Sequence, residues 1–243
     1  MESKNTIVSC FITNVNSIYP IEKYLNDGIL MLQAKIPKII FIEDVIYERV
    51  KIYINKYTVI IPIKKTDWYF QDYKDSITDF NLNTNNKTKD TLDFMFTMCN
   101  KTEWVKKATE LNYFHTDSFI WVDFGIRYIF KNDSDESFIQ KIETLKEQEY
   151  EKIRIGTIWD INARYLLDIY RDITWYFAGG VFGGPKELLC DFAEKTKGTC
   201  IQVINEKKTL MWEVNVWYLV YLENPTLFNC YKCDHNDSLI INY

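Results

Sequence analysis

Three observations predict an α/β fold on a central sheet with substantial parallel content. Short apolar runs rich in aromatic and β-branched residues, the mark of strands buried on both faces, recur at 6–12, 37–43, 57–62 and 118–122. Segments with helical spacing of apolar residues alternate with these runs. The most apolar run, Phe119-Ile-Trp-Val, stops abruptly at an acid, Asp123, and Gly125 follows. Ligands of open α/β sheets sit beyond the carboxyl ends of the strands. An acid there either holds a metal or ligand, or caps the strand end by bonding neighbouring amides.

Bulk properties narrow the class. The chain has 243 residues, of which 47% are hydrophobic, so a folded core is expected and disorder is not. Its formal net charge of −5 argues against a nucleic-acid backbone partner, which needs a basic face. Aromatic residues reach 16%, and they serve cores as well as sites for sugars and bases. No apolar run approaches the length of a membrane span. The first five residues are polar and lack the apolar stretch of an export signal, so a cytoplasmic location is expected. The six scattered cysteines are then reduced thiols.

Taken in order, 6–12 is the first strand. Thr13 and Asn14 follow in a polar turn, where α/β folds commonly meet a nucleotide. A helix is expected over 19–33, with Pro20 near its start, and strands over 37–43 and 57–62, the latter closed by Pro62. Residues 66–89, rich in Asp, Asn and Thr, read as an excursion. Helical spacing resumes near Asp90 and breaks at Asn100-Lys-Thr102, where Thr102 is the expected cap of a second helix. Lys101, beside that helix start, is either a phosphate contact or a solvated cation. The central strand to Asp123 comes next, and His115 before it reads as structural.

The second half is expected to hold an amphipathic helix over 134–150, a strand over 152–159 and a helix over 160–174. Half of the eight glycines fall in Trp175-Tyr-Phe-Ala-Gly-Gly-Val-Phe-Gly-Gly, which predicts either a close backbone approach to something bulky or two tight turns. Pro185 should open a helix and Gly198 end it, with 200–204 a strand or a further helix. Residues 210–222 read as a buried helix carrying Glu213. A carboxylate there is a general-base candidate, or else is bonded to backbone or arginine. A strand over 227–231 leads to a polar tip with His235, a candidate metal ligand that Asp234 or Asp237 could support. The single Cys230-x-x-Cys233 is too little for structural zinc. No repeat or linker divides the chain, so one domain over 1–243 is expected.

The stretches Asn100-Lys-Thr-Glu-Trp-Val, Phe119-Ile-Trp-Val-Asp-Phe-Gly-Ile, Trp175-Tyr-Phe-Ala-Gly-Gly-Val-Phe-Gly-Gly and Tyr231-Lys-Cys-Asp-His-Asn-Asp together resemble the HtrL/YibB-like family of A-type glycosyltransferases. The resemblance implies a nucleotide-binding half at about 1–130 and an acceptor-side half at about 131–243. It implies a nucleotide-sugar donor, Mn²⁺ or Mg²⁺, and a carbohydrate or glycoconjugate acceptor. Asp123 and His235 would be metal ligands, and Lys101 would approach the donor phosphates. Thr13, Asn14, Trp121, Gly179 and Gly180 are expected at the donor site. Glu213 would take the acceptor proton in an inverting displacement. One departure stands out: Gly125 occupies the place of the second acid in Asp-x-Asp. Two other readings stay open. One is a sugar-phosphate nucleotidyltransferase, although 13–19 lacks its Gly- and Arg-rich loop. The other is a non-catalytic sugar- or nucleotide-binding module on the same fold.

Overall fold

The computed structural model describes residues 3–13 and 20–243. Its seven strands form one sheet: β1 (Asn5–Phe11), β2 (Lys38–Glu43), β3 (Thr58–Ile63), β4 (Ser118–Val122), β5 (Ile153–Thr157), β6 (Phe177–Pro185) and β7 (Phe228–Lys232). The spatial order is β3-β2-β1-β4-β6-β5-β7. β6 runs antiparallel to both of its neighbours. Every other strand pairing among the described residues is parallel. This is the α/β sheet of substantial parallel content that the apolar runs predict, with β6 as its antiparallel member.

Period-two alternation sends successive side chains of each strand to opposite faces. Val8, Ile39, Phe41, Phe119 and Trp121 join one core, and Ile7, Ile40, Ile42, Ile120 and Val122 the other. Helices cover both faces. The first core is closed by α3 (Leu92–Cys99), α4 (Lys101–Leu111), α6 (Lys186–Lys207) and α7 (Glu213–Glu223), through Phe94, Trp104, Phe192 and Trp217. The second is closed by α1 (Ile21–Gln33), α2 (Asp44–Val50), α5 (Asp135–Thr144) and α8 (Ser238–Ile241), through Leu25, Ile46, Phe138 and Ile240. Each fully buried Phe, Ile or Leu in these layers contributes roughly 1.5–3 kcal/mol.

Several expectations are corrected. Residues 160–174 are not helical. Asp160 and Asp168 accept from the amides of Asn162 and Tyr170, which makes local turns. Buried Asn215 on α7 accepts from Thr174 and donates to the carbonyls of Ile169 and Asp172, tying the segment down in irregular form. The Gly-rich stretch is strand β6 and not a pair of turns; no described glycine has a positive φ. Pro185 ends that strand and is the N-cap of α6, so the helix opens there as expected, but it runs through Gly198 to Lys207, and 200–204 takes the helical alternative. Pro62 lies within β3 instead of closing it, which an edge strand tolerates. Thr102 does not cap α4. Asn100 marks the break, accepting from the Tyr69 amide and donating to the Phe96 carbonyl.

The connections place a crevice. From β1 the chain steps through β2 and β3 toward one edge, then returns to β4 on the other side of β1. The sheet order reverses between β1 and β4, and their carboxyl ends diverge there into the position where open α/β sheets take ligands.

Candidate functional site

A cleft of about 810 Å³ opens at this crevice. Phe11 and Ile12 line it from the end of β1, and Trp121 and Asp123 from the end of β4. Gly179 and Gly180 line it from β6, Lys101 and Glu213 from the first positions of α4 and α7, and His235 from the tip after β7. Seven of the residues singled out from the sequence therefore share one cavity. Thr13 does not line it. Its backbone N–H and its hydroxyl both donate to Glu43 Oε2 at the end of β2, at 2.7 and 2.5 Å. Asn14 lies outside the described residues.

The floor is a charge cluster centred on Lys101, whose side chain is 2% exposed. Its Nζ is 2.9 Å from Glu213 Oε1, 3.0 Å from Asp123 Oδ1 and 3.0 Å from the Gly179 carbonyl. A lysine ammonium has three N–H groups, so all are engaged. Asn100 is what turns this side chain inward. By separating α3 from α4 it lets Lys101 start a new helix directly under the sheet ends. Burial works against the Lys101 charge, but Asp123 and then Glu213 overcome it and hold the ammonium above its usual range.

Asp123 has its Oδ1 fixed a second time by the indole N–H of Trp121, at 2.7 Å. Its backbone N–H donates to the Gly180 carbonyl at 2.9 Å. Burial moves its carboxyl above the ordinary aspartate range, opposed by the Lys101 charge and the Trp121 hydrogen bond. Glu213 occupies the first turn of α7, where the helix dipole favours a carboxylate. Glycine at 179 makes room for this arrangement: a Cβ there would lie 2.4 Å from Glu213 Oε1, so the carboxylate would have to shift. At 180 a Cβ would meet Asp123 Oδ2 at 3.8 Å, an ordinary contact.

His235 stands at the rim with its ring edge-on to Trp175, centroids 4.2 Å apart. Partial burial lowers its pKa; the Asp234 charge opposes this and the Lys89 charge adds to it. Among the described residues no group of three or more His, Cys, Asp or Glu side chains is assembled for a metal ion. The chain's own donors fit a divalent cation only in part: Asp123 Oδ2 is the oxygen that Lys101 and Trp121 leave open. Any cation held there would need oxygens of a ligand to complete its shell.

Sequence reasoning named neither Trp175 nor Lys89 as a site residue, and both line the cleft. Trp175 sat in the Gly-rich motif and was legible there. Lys89 is one polar residue in a polar stretch, and nothing in its local pattern marks it.

Comparison with known proteins adds the family. Among curated proteins none matches the chain by sequence. Among solved structures, a 4-diphosphocytidyl-2C-methyl-D-erythritol synthase from Anaerococcus prevotii is similar at 8% identity and a TM-score of 0.42, over 98% of this chain and 92% of that one. Rv0371c from Mycobacterium tuberculosis is similar at 8% identity and a TM-score of 0.43, over 96% of this chain and 91% of that one. A manganese complex of the same protein gives 0.43 over 96% and 90%. Likeness at this level carries no argument about chemistry. The model of the family described as "Bacterial protein of unknown function (HtrL_YibB)" matches residues 4–241, and the chain belongs to that family.

Proposed function

We propose that the chain is a nucleotide-sugar-dependent glycosyltransferase working in the β1/β4 crevice. The observation that carries this reading is the fixed Asp123–Lys101–Glu213 cluster on the floor of a cleft at the switch point of the sheet. Two carboxylates from different elements are held at set positions by one buried ammonium. Asp123 Oδ2 faces the donor side. Glu213, tied through Oε1, keeps Oε2 for an acceptor hydroxyl.

In the proposed reaction the acceptor oxygen attacks the anomeric carbon of the donor. The bond to the diphosphate breaks, and the nucleoside diphosphate leaves with its electron pair. Glu213 accepts the hydroxyl proton. This gives inversion at the anomeric carbon. A divalent Mn²⁺ or Mg²⁺ at Asp123 would supply Lewis-acid neutralisation of the departing diphosphate. Lys101 acts as a positioning residue, orienting both acids while its own N–H groups stay engaged. The first half of the chain, to about residue 130, would serve the donor and the second half the acceptor.

The test is product analysis with UDP-, GDP-, CDP- and dTDP-linked sugars, with and without Mn²⁺. Release of nucleoside diphosphate that falls at least about a hundredfold in Glu213→Gln and Asp123→Asn supports the reading. A fully active Glu213→Gln variant removes the base assignment. Release of pyrophosphate from a nucleoside triphosphate and a sugar phosphate, with no glycosyl transfer, replaces the reading with nucleotidyl transfer. Donor bound but never turned over, with any acceptor tried, identifies a binding module.

A further inference from the structure

The residue expected to meet phosphate, Lys101, has no N–H left to give. A diphosphate in the cleft therefore needs another cation. Lys23 lines the cleft too, but its ammonium is 2.9 Å from Asp27 Oδ2. Lys89 differs. It lines the cleft, and among the described residues no carboxylate pairs with its ammonium. That ammonium instead lies 4.9 Å from the centroid of the Phe94 ring. A cation over an aromatic face is held in place and still keeps its N–H groups for a ligand.

The backbone beneath it is set. The Lys89 amide donates to the Asn86 carbonyl at 3.1 Å, and the chain then enters α3 through Thr91, whose hydroxyl accepts from the Phe94 amide. The adjacent acid, Asp90, does not line the cleft; it accepts from Trp212 Nε1 at 3.4 Å and from the Thr84 hydroxyl. His235 lines the same cleft and offers an imidazole braced by Trp175. A divalent cation is repelled by an ammonium there, and an anion is attracted.

We propose that Lys89, together with His235 on the same cleft, forms the phosphate-binding end of the cleft and grips the diphosphate of the nucleotide ligand. This rests on the nucleotide-sugar reading above and adds two residues with defined roles. Lys89 supplies charge and His235 a hydrogen bond to a phosphate oxygen. Asp123 is left as the acid on the metal side.

The experiment is calorimetric titration in chelator-treated, metal-free buffer with inorganic pyrophosphate and with UDP, GDP, CDP and dTDP. Wild type, Lys89→Met, Lys89→Arg and His235→Gln are compared. Loss of a charge-assisted contact predicts roughly 10- to 100-fold weaker binding for Lys89→Met. Lys89→Arg should stay within a few-fold of wild type, and His235→Gln should fall between. Removing one phosphate-facing cation should also flatten the salt dependence of affinity, which a merely structural role would not do. Should Lys89→Met fail to fold, the affinity and salt slope of Lys89→Gln decide the matter. Equal affinity of wild type and Lys89→Met for a bound nucleotide overturns the inference and leaves the glycosyltransferase reading standing. Pyrophosphate binding that needs Lys89, with no nucleotide bound, supports Lys89 as a phosphate contact but overturns the nucleotide as its ligand. If wild type binds neither ligand, the inference is overturned, and the same titration with Mn²⁺ present decides the nucleotide-sugar reading.

Discussion

Lys101 decides how the site is built. Removing its charge leaves Glu213, itself buried, and Asp123 without their shared partner, and breaking a buried pair by deleting one member costs about 3–5 kcal/mol. Urea unfolding of Lys101→Met should show a loss of that size, and Lys101→Met with Glu213→Gln should recover part of it. A single variant within about 0.5 kcal/mol of wild type would contradict the linkage. A second buried lysine gives a pH signature. Lys38 donates to the carbonyls of Ala34 and Ile36 at 2.5 and 2.9 Å, and no carboxylate among the described residues touches it. Burial, against a weaker opposing charge from Glu143, brings its pKa down to about 7. In the unfolded chain lysine keeps its proton to about 10.4, so between these limits the unfolded state binds more protons and stability rises with pH. The stability of wild type relative to Lys38→Met should therefore climb between pH 7 and 9.5, at up to about 1.4 kcal/mol per pH unit. A flat difference would show that Lys38 stays charged in the fold. Asp123 and Glu213 were legible as single residues, because each is an acid beside very apolar sequence. Lys101 was legible as a cation at a helix start, but its pairing with the two acids was not, since Lys101 and Glu213 are 112 residues apart and only the fold joins them.

Glycine placement is the clearest lesson among the elements. In β6 the missing side chains make room: a Cβ at 183 would lie 2.8 Å from the Phe119 carbonyl and 2.3 Å from the Tyr243 hydroxyl. In α6 Gly198 has nothing within 4 Å of its would-be Cβ. Gly198→Ala should stabilise the protein by about 0.5–1 kcal/mol, seen as a higher melting midpoint. Gly179→Ala should destabilise it by about 1–3 kcal/mol and displace Glu213. Equal effects at the two sites would contradict the assigned roles. Sequence alone could not separate these glycines. Gly198 read as a helix end because glycine is favoured there, but packing of Leu189, Phe192 and Cys200 carries the helix past it. Residues 160–174 failed for the opposite reason: helical propensity was present, and hydrogen bonds from a distant Asn215 overruled it.

At the scale of the molecule, the parallel strands were legible because strands buried on both faces must be nearly all apolar, and β2, buried along its whole length, carries four apolar residues in a row between Lys38 and Glu43. The antiparallel insertion of β6 between β4 and β5 was not, because its glycines hide the alternation that marks a strand. That insertion brings Gly179 and Gly180 against Asp123 and Glu213, and so completes the cleft. The central claim is that this cleft takes a nucleotide sugar. Its most direct test is the melting midpoint of wild type and Asp123→Asn against a panel of nucleoside diphosphates and their sugar conjugates, each with and without Mn²⁺. A ligand at a hundred times its Kd stabilises the fold by about 2.7 kcal/mol. The account predicts a rise in midpoint with one nucleotide class, larger with Mn²⁺ present, and loss of the Mn²⁺-dependent part in Asp123→Asn. No shift with any member of the panel would contradict it.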